Sequence, residues 1–186
     1  MGSSKAKPKL CLMDIESTSL DADVGVFVGG GLMALSGRFK WFYAEAPKAE
    51  AEVLNDFLQQ VSGYEVIVTW NGRIFDLPFL TARALKHGLS AEYLHKPTHI
   101  DLAEFIKGAL RLARSDLYHV AKFLNVRKDL SVEGFDVPSL YMKAVKGDRK
   151  AASAIRRHCR DDLETTRIVF MKVLPLLRVR YPELSL

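Results

Sequence analysis

Apolar positions along this chain change period about a third of the way through, from short extended runs to helical spacing. Lys9 to Met13 is an apolar run that reads as a strand and leads into the polar loop STSLDAD. Val24 to Leu35 reads as a second extended run, broken by Gly29, Gly30 and Gly31, and the aromatic-rich Arg38 to Tyr43 as a third. Their short connections predict an antiparallel meander. Val53, Leu54, Phe57, Leu58 and Val61 then recur at helical spacing, and EVIVT after Gly63 reads as a fourth strand. From there the pattern is helical to the end. Helices are expected over Leu77 to Lys86, Leu102 to Leu112, Leu117 to Leu124 and Pro138 to Val145, with a long one from about Ala151 to Leu174. Three antiparallel strands, a crossover helix and a strand joining in parallel make an α/β fold, a mixed sheet flanked by helices. No repeat or linker divides the chain, so residues 1–8 read as a disordered tail and 9–186 as a single domain.

Composition narrows this picture without redirecting it. A chain of 186 residues, 48% apolar, can bury a core without disulfides or structural metal. No window has the apolar length of a membrane span, and the N-terminus has no apolar stretch of its own. Cys11 in a strand and Cys159 in a helix have no metal-ligand spacing, and read as reduced core residues of a cytoplasmic protein. Net charge is +5, with seven basic residues between Lys143 and Arg160 (Lys143, Lys146, Arg149, Lys150, Arg156, Arg157, Arg160) against Asp148 alone. Such a segment can track a phosphate backbone, or be a solvated helical face.

The chemistry gathers around acids. Asp14 and Glu16, two apart on an extended run, project from one face and want a cation. Asp76 stands where a helix begins after the turn residues Asn71 and Gly72, with Pro78 in its first turn, a placement suiting either an N-cap or a ligand brought towards Asp14. In the last helix, Ile155, Cys159, Thr166, Val169, Phe170 and Val173 form the apolar stripe. His158 and Asp162 lie within it, while Asp161 and Glu164 point away. His158 is one turn before Asp162, so a buried hydrogen bond between them is one reading. Four acids at element edges, Asp14, Glu16, Asp76 and Asp162, also suit two divalent ions about 3.5–4 Å apart. Oxygen ligands favour Mg²⁺ or Mn²⁺ over zinc.

DIEST, NGRIFDLPFL and HCRDDLETT resemble the three exonuclease motifs of the DEDD (DnaQ-like) 3′-to-5′ exonucleases of ribonuclease H-like fold. The middle motif is most similar to those of family B DNA polymerase proofreading domains and their stand-alone relatives, and the resemblance covers nearly the whole chain. It implies that Asp14, Glu16 and Asp162 ligate the metal holding the attacking water, that Asp14 bridges to a second metal shared with Asp76, and that His158 is the general base. The departures are His158 at the four-residue spacing typical of the tyrosine subtype and Ser19 where the family often has Gly. Ser17, Thr18, Leu20, Asn71 and Phe75 are implied to handle substrate, Leu20 as a wedge against the terminal base and Phe75 as a stacking surface. Core packing is the alternative for Leu20 and Phe75, and turn formation for Asn71. His99 and Asp101 read as structural support at a sheet edge, and His87, His95 and His119 as residues without a visible partner.

The expected activity is therefore hydrolysis from the 3′ end of single-stranded nucleic acid, DNA before RNA, by two metal ions. A catalytically idle nucleic-acid-binding module and a structure-specific endonuclease are the alternatives. No membrane contact is expected, and the sequence names no protein partner.

Overall fold

Alternation along β1 (Leu10–Ser17) sets both faces of the sheet. The computed structural model describes residues 7–129, 132–182 and 184, so most of the expected tail lies outside the described residues. Leu10 and Leu12 face one helical layer, whereas Cys11, Met13 and Ile15 face the other. β2 (Phe27–Met33) and β3 (Phe39–Tyr43) complete the antiparallel meander. The three glycines do not break β2, which is continuous and buried throughout.

A short 3-10 turn leads into α1 (Glu50–Val61), which crosses over so that β4 (Val66–Thr69) lies parallel to β1, Leu12 opposite Val68. The helices α2 (Asp76–Lys86) and α3 (Glu92–His95) follow. The chain is not wholly helical beyond β4, as the sequence pattern suggested. β5 (Thr98–Asp101) adds in parallel to β4, giving a five-stranded sheet of order β3-β2-β1-β4-β5. Four residues, two of them His99 and Asp101, show little apolar pattern; pairing with the β4 backbone makes this segment a strand.

α4 (Leu102–Ala109) and α5 (Leu117–Phe123) begin at Asp101 and Asp116, whose carboxylates accept from the N–H groups of Glu104 and His119. α6 (Val137–Val145) packs Val137 and Tyr141 against Val28 and Ile155. The last helix, α7 (Arg149–Arg180), runs through Pro175 instead of stopping at Leu174. Leu177 is fully buried in the core, and that packing outweighs the hydrogen bond lost at proline. Among the described residues no helix is long and apolar enough to cross a membrane.

Candidate active site

β1 runs on past its last pairing with β4, so Asp14 and Glu16 emerge at the carboxyl ends of the parallel strands, where open α/β sheets bind ligands. A shift in register between Glu16 and Ser17 ends regular pairing with β2 and turns the chain into the loop bearing Leu20. Gly31 lies opposite Asp14, and a Cβ there would come within 2.6 Å of both Cys159 Sγ and Leu163 Cδ1. The missing side chain lets α7 press onto β2, and that approach brings His158 and Asp162 over β1.

Asp76 arrives from the other side. Phe75 holds the cap position of α2 and Asp76 is the first helical residue, with no side-chain cap bond. The nearby backbone N–H groups of Asp76 itself and of Ile15 in β1 draw its carboxyl down, against the larger effect of burial. The capping alternative is therefore not what this structure shows. The preceding turn is held by Asp101, which accepts from the N–H groups of Asn71 at 3.1 Å and Arg73 at 3.0 Å. Gly72 is required there, because a Cβ would lie 2.3 Å from Thr69 Oγ1.

Electrostatically the acids form one cluster. Asp14 stands well above the usual carboxylate range through burial and then through the charges of Asp76 and Asp162. Glu16 is raised likewise by burial, then by Asp14, Asp162 and Asp76. Burial pushes Asp76 up to about 7 against the pull of its backbone bonds. Glu16 Oε1 and Asp76 Oδ1 are buried without a hydrogen-bond partner. The donor atoms of Asp14, Glu16 and Cys159 lie within 4.8 Å of one another. Burial and the nearby acids raise the Cys159 thiol, which stays protonated and donates to the Asp14 carbonyl oxygen at 3.9 Å. The oxygens remain as donors, and unpaired buried carboxylate oxygens of this kind suit a hard divalent cation.

His158 spans two of the acids, its Nε2 3.8 Å from Glu16 Oε1 and its Nδ1 3.7 Å from Asp162 Oδ1. Neither separation is a hydrogen bond, so the buried His158–Asp162 bond is not formed. Asp162 is half-buried at the helix edge and is bonded by Lys128. Asp161 does not simply point away, because it accepts from Lys128 and from the Asp129 N–H. Glu164 does face outward and pairs with Arg167.

Asp14, Glu16, Lys128, His158 and Asp162 line a cleft of about 520 Å³, whereas Asp76 is buried and is not among its lining residues. Of the residues expected to handle substrate, Ser17, Leu20 and Phe75 line it. Leu20 is 79% exposed, which excludes core packing, whereas Phe75 both borders the cleft and packs on Phe79. Thr18 and Asn71 are not among the lining residues. Thr18 Oγ1 accepts from the Val26 N–H at 2.9 Å, and Asn71 adopts a φ of 61° in its turn.

The opposite wall was not legible in the sequence. Arg114, Asp116, Tyr118 and His119 line it, with His119 Nδ1 2.7 Å from Asp116 Oδ1. An aspartate three residues before a histidine at a helix start was the available signal. His87 and His95 also have partners, Glu50 Oε2 at 2.9 Å and Thr81 Oγ1 at 3.1 Å. The seven basic residues of the 143–160 segment are exposed, and Arg157 borders a shallow pocket beside His158.

The raised Asp76 carboxyl predicts a stability slope. A carboxyl group whose folded value lies above its unfolded one destabilises as pH rises between about 4 and about 7. His99, lowered by burial to about 4, gives an opposing slope in the same window. The two separate by difference: without metal, Asp76→Asn should become progressively more stable than wild type as pH rises from 4.5 to 7.5 in urea titrations. Saturating Mg²⁺ should shrink that gap, and a pH-independent gap would refute the assignment.

A family profile described as the RNase_H superfamily matches residues 11–174. No curated protein matches the chain. Among solved structures, the chain is similar to a family B DNA polymerase from the hyperthermophilic archaeon Pyrobaculum calidifontis, with a TM-score of 0.78 and 21% identity. The similarity covers 95% of this chain and 26% of the polymerase, so this chain spans about a quarter of that protein's length.

Proposed function

This chain belongs to the ribonuclease H superfamily, and on that premise we propose that it is a metal-dependent 3′-to-5′ exonuclease of the DEDD, DnaQ-like kind. The family supports nuclease chemistry in general. The finer reading is carried by one observation: His158 held between Glu16 and Asp162, in the same cleft as Asp14. Asp14, Glu16 and Asp162 would hold one Mg²⁺ or Mn²⁺, and Asp14 with Asp76 a second. Such ions, when bound, neutralise charge on the scissile phosphate and make water nucleophilic near neutral pH.

The protein's own groups do the rest. Nε2 of His158 is its outer ring nitrogen, facing Glu16, and takes the proton of the attacking water. Leu20, exposed at the rim, wedges against the terminal base, and Phe75 offers its ring as a stacking surface. The cleft, about 520 Å³ with Leu20 at its rim, has room for a nucleotide at a strand end. Single-stranded DNA is the first candidate and RNA the second, acted on in the cytoplasm.

The test uses single strands of DNA and RNA labelled at the 5′ end, with Mg²⁺ or Mn²⁺. A ladder shortened stepwise from the 3′ end is expected. His158→Gln should lower kcat about 10²- to 10⁴-fold while leaving strand binding intact. Internal cuts would assign an endonuclease instead, and binding without cleavage under both metals would leave an idle binding module. Full activity in His158→Gln would remove the general-base role.

A further inference from the structure

Lys128 enters the cleft from the segment that follows α5, and its side chain is only 9% exposed. Its ammonium bonds Asp162 Oδ1 and lies 3.4 Å from Asp161 Oδ2. The same Asp161 oxygen accepts from the Asp129 N–H at 3.1 Å. Asp161 thus fastens the segment to α7, and Lys128 reaches one residue further, onto a carboxylate that the exonuclease reading gives to a metal ion.

An ammonium and a divalent cation compete for Asp162 Oδ1, since their charges repel at ligand distances. Without metal the ammonium has a clear part to play. Four acids repel one another here, and Lys128 is the cation whose charge opposes that repulsion at both Asp14 and Glu16. Divalent ions would cancel the negative charge that holds the ammonium there. A lysine head on a four-carbon stem can then leave Asp162 with its backbone still held at Asp161, and the cleft in front of it is where a strand would lie.

We propose that Lys128 is a metal-gated phosphate ligand: it neutralises Asp162 until a divalent ion takes that carboxylate, and the displaced ammonium then binds a phosphate of the incoming strand. The identification of that phosphate with the one cleaved rests on the exonuclease reading; the displacement does not. A phosphate contact from a lysine is independent of sequence and adds to the salt dependence of binding.

Two binding measurements on the full chain test this, neither needing turnover. Calorimetric titration with Mn²⁺ alone should show Lys128→Met binding the ion about tenfold more tightly than wild type, as expected when a competitor for a ligand is removed. Lys128→Arg, which keeps the competitor, should not show that gain. Fluorescence anisotropy with a thymidine oligonucleotide carrying phosphorothioate linkages at its 3′ end should then show the opposite trend. In Mn²⁺ wild type should bind it about tenfold more tightly than Lys128→Met, with the salt slope reduced by about one unit in the variant. Lys128→Gln serves as the second variant if Lys128→Met does not fold without metal.

Unchanged or weaker Mn²⁺ binding in the neutral variants overturns the proposal, as does equal oligonucleotide binding. If both shifts appear and no strand is cut by wild type, the exonuclease reading fails and this one stands. If strands are cut while the Mn²⁺ affinities agree, only this one fails.

Discussion

Asp14→Asn is expected to lower strand cleavage by at least about 10³-fold while making the metal-free protein more stable. The two effects share one cause. Asp14 sits at the centre of the acid cluster, raised by burial, Asp76 and Asp162, and in the proposed mechanism it would be a ligand to both ions. Losing a shared ligand removes transition-state stabilisation of about 4 kcal/mol, a thousandfold in rate. Without metal the same carboxylate is a liability, because it is buried and crowded by like charges that the Cys159 thiol and the Lys128 ammonium oppose. Its neutral amide should raise stability by about 1–2 kcal/mol, a few degrees in Tm for a chain of this size. Mn²⁺ should raise the Tm of wild type strongly and that of the variant little. Retained cleavage, or a variant that melts lower than wild type without metal, would refute this account of Asp14.

Arg83→Met is expected to have the largest effect on stability. Glu50 and Arg83 are each only 2% exposed, and they are bonded through two nitrogens of the guanidinium. Glu50 also accepts from the Phe27 N–H at 2.7 Å and faces His87, while Arg83 Nη1 donates to the Ala22 carbonyl oxygen at 2.9 Å. Removing the arginine strands a buried carboxylate, a loss of about 3–5 kcal/mol, and should lower Tm by about 10 °C. The double variant Glu50→Gln, Arg83→Met should recover part of that. Ala22 lies in the loop that presents Leu20 and Phe27 ends it, so KM for a single strand should rise in the variant even at temperatures where it is folded.

The pH dependence of that loss has a definite sign. Burial alone would raise Glu50, but the bonds from Arg83, Phe27 and His87 outweigh it and hold the carboxyl below its ordinary value of 4.5. A depressed carboxyl stabilises above its unfolded value and loses that contribution as pH falls through the folded one. The gap in stability between wild type and Arg83→Met should therefore be full at pH 7 and narrow below pH 4. A gap that widened on acidification would contradict the ion-pair origin.

Much of this arrangement is legible in the sequence because it depends on local period. The alternation of Leu12, Asp14 and Glu16 against Met13 and Ile15 identifies the face carrying the acids, and the helical spacing around His158 and Asp162 identifies the side of α7 that meets them. What tertiary contact decided is different in kind. β5 has no strong pattern and exists through pairing with β4. The glycines of β2 read as interruptions, yet Gly31 is the opening through which α7 approaches the sheet. Asp161 read as outward and fastens a loop, and His119 read as partnerless and bonds Asp116 on the cleft wall.

By itself, the sequence determined which segments hide apolar surface, where helices begin and which acids share a face, since each follows from neighbours within a few turns of chain. Only the folded structure decided that Lys128 reaches Asp162 across 34 positions and that Glu50 meets Arg83 across 33. Periodicity reports what one segment buries. It carries no information about which distant charge will fill the space left beside it, and in this protein that charge is the one competing with the proposed metal.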